Sequence, residues 1–159
     1  MRLKNYSLKK KVRIGNKIKK ICKKYEVKFI INDDPMLTLK LNADGCHLGQ
    51  KDMNIRKAKK ILGKKIIGVT CHNSIGLAKK AIKYRANYIA FGSFYSSKTK
   101  KTKYKASIKI LDKIKKFTKI PVVAIGGINS DNYKNLLLNN ANFLAISSYI
   151  WKNKKYKPL

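Results

Sequence analysis

The chain is short of acid. Only seven of its 159 residues are Asp or Glu, against 39 Lys and Arg, which leaves a formal charge of +32. Arginine is scarce too, standing only at positions 2, 13, 56 and 85, so the excess is a lysine excess. Cysteines 22, 46 and 71 are odd in number and lack metal or redox spacing, which points to reduced, buried thiols of a cytoplasmic protein. No apolar run approaches transmembrane length and no signal peptide opens the chain, so neither a membrane partner nor export is expected. No aromatic ladder or recognition motif accompanies the lysines, which argues against specific nucleic-acid binding despite the charge. Lys17, Lys19, Lys20, Lys23 and Lys24 surround Ile18, Ile21 and Cys22 at helical spacing, the pattern of a solvated helix face. Lysine and asparagine abound together, a composition-wide bias that says little about function.

What is there is alternation. Short apolar strands are predicted at 27–31, 45–48, 65–70, 87–92, 121–125 and 143–146. Helices are predicted at 8–25, 36–42, 54–62, 74–85, 106–117 and 131–139, with a last turn at 149–152. The first carries Val12, Ile14, Ile18, Ile21, Cys22 and Tyr25 on one face, and Gly15 weakens it by roughly 1 kcal/mol. Strict strand-helix repetition requires a parallel α/β architecture in one domain spanning 1–159. Six strands fit either an open doubly wound sheet or a barrel missing its beginning; a complete eight-strand barrel usually takes roughly 200–250 residues.

In parallel folds the chemistry gathers beyond the C-terminal strand ends. These ends carry Asn32-Asp33, Gln50 to Asp52, Thr70, Ser97 to Lys100, Gly126-Gly127 and Ser147-Ser148. Asp33 and Asp52, two of the few acids, close neighbouring strands and match Mg²⁺, which takes one or two carboxylates and lets phosphates and water complete its shell. The plainer reading of either one alone is a capping or turn aspartate. Gly126-Gly127 would bare backbone N–H groups to a phosphate, Ser147-Ser148 would add more, and Ser97, Thr99 and Lys100 make a hydroxyl-and-ammonium loop suited to anions. His47 alternates with Cys46 and Leu48, which sends it to the opposite face of its strand. Cys46-His47 and Cys71-His72 invite zinc, but adjacent strand residues point apart and one pair cannot readily give two ligands.

Taken in order, IIND, ADGCHLGQKD, IIGVTCH, YIAFGSFYSSKTK, IPVVAIGGI and the closing ISS resemble the thiamine-phosphate synthase family, over essentially 2–152. The resemblance implies a (β/α)₈ TIM barrel and a Mg²⁺-dependent transferase. That enzyme joins 4-amino-5-hydroxymethyl-2-methylpyrimidine diphosphate to a thiazole phosphate, or its carboxylated form, giving thiamine monophosphate and diphosphate. It makes Asp33 and Asp52 the metal ligands. Arg2, Lys4 and Asn32 would hold the pyrimidine diphosphate, Lys100 its diphosphate, and Thr70 stands near the pyrimidine. Ser97, Thr99, Gly127, Ser147 and Ser148 would cradle the thiazole phosphate.

Three departures stand out. The family's opening strand and helix are missing, so an N-terminally truncated barrel of six complete units plus a remnant strand at 2–4 is expected. Such a chain would self-associate and work poorly. The anion loop opens Ser96-Ser97 in place of proline-threonine, and Asp34 stands where arginine is common. Related thiazole tautomerases generally lack the acid at Asp52, which favours the synthase; a degraded phosphate-binding barrel is the other alternative.

Overall fold

Ser7 opens the first helix. In the computed structural model, which describes residues 1–96 and 103–152, its hydroxyl accepts the Lys10 N–H at the N-cap of α1 (Leu8–Lys24). The chain divides into two compact units, Met1–Val69 and Thr70–Leu159. The apolar face of α1 is narrower than its spacing suggests. Gly15 is buried against Leu41, and Val12, Ile18 and Cys22 pack on the cluster Phe29, Ile31, Leu37, Leu41 and Ala43, whereas Ile21 and Tyr25 are exposed.

Strand β1 (Ile30–Asn32) starts three residues later than predicted. Val27 is exposed, and the Phe29 N–H goes to the Asp44 carboxylate at 2.8 Å. The remnant strand expected at 2–4 is absent. Of the opening residues, Met1 alone pairs with β1: its amino group donates to the Ile30 carbonyl and its own carbonyl accepts the Asn32 N–H at 2.8 Å, a one-residue parallel bridge around Ile31. Helix α2 (Pro35–Lys40) has Asp34 as N-cap and proline at its first position. Strand β2 (Gly45–Leu48) pairs in parallel with β1 and with β3 (Ile66–His72), placing Asn32 opposite His47 and Leu48 opposite Val69. Between them runs α3 (Ile55–Leu62), which Asn54 caps and Gly63 ends in the left-handed conformation that favours glycine.

In the second unit α4 (Ile75–Lys83), capped by Ser74, leads to β4 (Tyr88–Gly92). Then come α5 (Lys109–Lys115), β5 (Val122–Ile125), α6 (Tyr133–Leu138), β6 (Phe143–Ala145) and α7 (Ser148–Trp151). Strands β4, β5 and β6 are parallel neighbours, with Ile125 opposite both Gly92 and Ala145. Ile89, Phe91, Leu111, Ile114, Val122, Ala124 and Leu136 are among the unit's buried apolar residues. Strand order follows chain order from β1 to β6 without the reversal that marks a doubly wound sheet, which removes that alternative.

Candidate functional site

The first unit brings Arg2, Lys4, Asn32, Asp33, His47 and Asp52 to the ends of β1 and β2. Parallel register does this directly: the Asp33 N–H continues the ladder to the His47 carbonyl at 2.8 Å. Asp33 sits at φ +71°, a conformation non-glycine residues hold only where surroundings enforce it. Its Oδ2 accepts the Arg2 Nε–H at 3.1 Å and lies 3.9 Å from the Lys4 ammonium. Both cations named from the sequence therefore stand on the acid rather than apart from it.

Asp52 is half-buried, and its Oδ2 accepts the Gly49 N–H at 2.7 Å, closing the turn after β2. One of its oxygens thus does what a turn aspartate does. The other oxygen of each carboxylate accepts no hydrogen bond from a described residue. His47 lies between the two acids electrically. Burial lowers its pKa below the ordinary 6.5, while the Asp33 and Asp52 charges oppose that shift. The imidazole is half-buried, with Cys46 and Leu48 buried on the opposite face, as alternation requires.

Among the described residues no group of three His, Cys, Asp or Glu is gathered for a metal ion. Mg²⁺ is commonly held by one or two carboxylates with waters and substrate phosphates. Asp33 and Asp52 fit that donor set with one uncommitted oxygen each. Asp34 plays another part. Its Oδ1 accepts the Leu37 N–H at 2.9 Å, so the departure from arginine creates a helix cap. The signal was legible in Asp-Pro ahead of an apolar run and was missed.

The second unit holds the other strand ends. Thr70 lies inside β3 rather than at its end, because the strand runs two residues further to His72. Gly126 and Gly127 follow β5 at φ +107° and +64°. A side chain at Gly127 would meet Tyr95 at 2.8 Å, and the Gly127 carbonyl accepts the Asn132 amide at 3.0 Å. The N–H groups of Gly126, Gly127 and Ile128 donate to no described residue. Ser147 and Ser148 begin α7 beside them, since Ile125 and Ala145 are in register, and the Ser147 side chain makes no cap bond. Ser97, Thr99 and Lys100 lie outside the described residues. Sequence reasoning missed Ser93, Tyr95 and Asn132, which fasten the glycine turn through contacts distant in the chain.

Parallel strands that follow one another in chain order, with helices between them, define a parallel α/β protein. Residues 1–150 match the model of the thiamine monophosphate synthase family. The chain belongs to that family. A thiamine-phosphate synthase of Pelagibacter ubique is 68% identical over all 159 residues, which span 77% of that protein. One of Nitrosomonas eutropha is 43% identical over 132 residues, 82% of this chain and 62% of the relative. The solved thiamine phosphate pyrophosphorylase of Pyrococcus furiosus superposes with a TM-score of 0.88 at 33% identity, covering 97% of this chain and 74% of that one.

Proposed function

We propose that the chain acts as a thiamine-phosphate synthase, a transferase, and supplies six units of a (β/α)₈ barrel. Its substrates are a pyrimidine carrying a diphosphate and a thiazole carrying a phosphate. The observation that carries this reading is that Asp33 and Asp52, following β1 and β2, each keep one carboxylate oxygen without a hydrogen bond from a described residue, in a chain of this family.

Asp33 and Asp52 would hold Mg²⁺, which supplies charge neutralisation for the diphosphate. As the carbon–oxygen bond to the diphosphate breaks, negative charge grows on the leaving group. Arg2 and Lys4 supply countercharge: the guanidinium has five N–H donors and spends one on Asp33, leaving others for phosphate oxygens. Lys100 belongs to the same set by sequence. The electron-rich aminopyrimidine carries the positive charge, and the thiazole nitrogen attacks it. No protein nucleophile takes part; Cys46 and Cys71, the two thiols buried beside the strand ends, have pKa values pushed up to about 11 and about 12. Asn32 and Thr70 orient the pyrimidine, and the glycine amides with Ser147 and Ser148 hold the thiazole phosphate. Positioning of two bound substrates supplies much of the remaining acceleration.

The test is Asp52→Asn. The amide oxygen can still accept the Gly49 N–H, so the fold and melting temperature should hold, while Mg²⁺-dependent synthesis falls by at least about a hundredfold. Full turnover by this variant at limiting Mg²⁺ would end the metal assignment. Tight binding of both substrates by the wild type without product would identify a barrel that has lost catalysis.

A further inference from the structure

The connection between β4 and α5 is fastened at both of its ends, and one fastening is an aromatic pair that the reaction does not use. At the first end the Phe94 N–H donates to the Ile125 carbonyl at 3.2 Å and the Tyr95 N–H to the Gly126 carbonyl at 3.1 Å. At the second end the Tyr104 ring stacks on His72 with centroids 3.9 Å apart and planes 18° from parallel. The Ser107 N–H donates to the Asn73 carboxamide oxygen at 3.1 Å, so the last residue of β3 and the one after it each grip this stretch. Ser93 joins the two ends. Its N–H donates to the Tyr104 carbonyl at 3.1 Å and its carbonyl accepts the Ala106 N–H at 2.8 Å.

Ser93 also backs the glycine turn. A side chain at Gly126 would lie 2.6 Å from the Ser93 Cβ and 2.7 Å from its Cα, so this backbone and the turn are in closest contact. Tyr95 reaches the same turn by a second route, since its hydroxyl donates to the Asn132 carbonyl at 3.1 Å and the Asn132 amide donates to the Gly127 carbonyl at 3.0 Å. A continuous path of contacts thus runs from His72 through Tyr104 and Ser93 to the amides of Gly126 and Gly127.

We infer that His72 and Tyr104 are positioning residues whose stack holds the Gly126-Gly127 turn in its phosphate-binding form. The inference rests on the proposed function for the identity of the phosphate, the one on the thiazole substrate. Tyr104 is half exposed and His72 half-buried, so the pair contributes little to the core, and its loss is felt at the turn.

The test has two independent arms on the full chain. Trypsin cleavage after Lys103 and Lys105, which flank the stack and are exposed, reports the fastening without any substrate. Tyr104→Ala and His72→Ala should each speed it about three- to tenfold, the scale of one aromatic pair, and the double variant should be no faster than either. Tyr104→Phe keeps the ring and should cleave like wild type. In the second arm Tyr104→Ala should raise KM for the thiazole phosphate by the same factor, more than KM for the pyrimidine diphosphate, with kcat changed less than about twofold, and Tyr104→Phe should restore it. Wild-type cleavage and wild-type KM in Tyr104→Ala would overturn the inference, as would multiplying effects in the double variant. If the wild-type chain makes no product, the proposed function falls and the cleavage rates alone uphold or refute the stack.

Discussion

Asp33 shows how much one residue is asked to do. It is held at a left-handed φ, closes the β1 ladder through its N–H, and gathers Arg2 and Lys4 on one carboxylate oxygen. Those ion pairs are open to solvent, and exposed pairs are worth at most about 1 kcal/mol, so their arrangement says more about binding than about stability. The identity of such strand-end acids was legible in the sequence because so few acids compete for attention. Their hydrogen-bond partners were not legible, since Arg2 with Asp33 depends on a contact across 31 residues of chain. The cysteines give a residue-scale test. Burial raises the Cys46 and Cys71 thiols from the ordinary 9.0 to about 11 and about 12, so the fold favours the protonated thiol and thiolate appears only as pH approaches those values. Iodoacetamide should modify both in denatured chain with a rise centred near pH 9.0, and leave both largely untouched in native chain at that pH. Equal native and denatured rates at pH 9, followed site by site by mass spectrometry, would show that the thiols are not buried as described.

At the scale of elements the sequence read well where periodicity is local. All six strands and seven helical segments fall where alternation placed them, because each apolar pattern is confined to a single element. The misreadings lie at element ends. β1 starts late because the Asp44 side chain takes the Phe29 N–H, β3 runs on to His72, and no strand forms at 2–4. The first turns on a partner supplied from elsewhere in the chain. Gly15 illustrates the same limit. From sequence it is a weak point in α1, costing roughly 1 kcal/mol, yet its missing side chain is what lets the helix approach Leu41. An alanine there would place its Cβ 2.9 Å from Leu41 Cδ2 and 3.3 Å from Cγ, and Leu41 is hemmed in by the Phe29 cluster. Overpacking of this kind costs about 1–3 kcal/mol and outweighs the helical gain. Gly15→Ala should therefore lower the urea midpoint by the equivalent of about 1 kcal/mol. A higher midpoint than wild type would mean that Leu41 yields freely.

At the scale of the molecule two surface properties oppose each other. The charge of +32 keeps copies apart, and no helix among the described residues is long and apolar enough to cross a membrane. Yet Leu138, Phe143 and Trp151 are 84%, 59% and 72% exposed, on α6, β6 and α7. Exposed apolar surface of this kind favours association once charge repulsion is screened. Sedimentation should show the average mass rising with salt, and Phe143→Ser with Trp151→Ser should suppress the rise; a monomer at every salt concentration would exclude self-association through this surface. The central claim concerns the reaction itself. It is tested most directly by following thiamine monophosphate and diphosphate by chromatography, with the purified chain, Mg²⁺ and each substrate alone or together. The expected result is equal amounts of both products, formed only when both substrates and Mg²⁺ are present. A folded chain that releases diphosphate without the thiazole phosphate, or that forms no thiamine monophosphate at all, would contradict it.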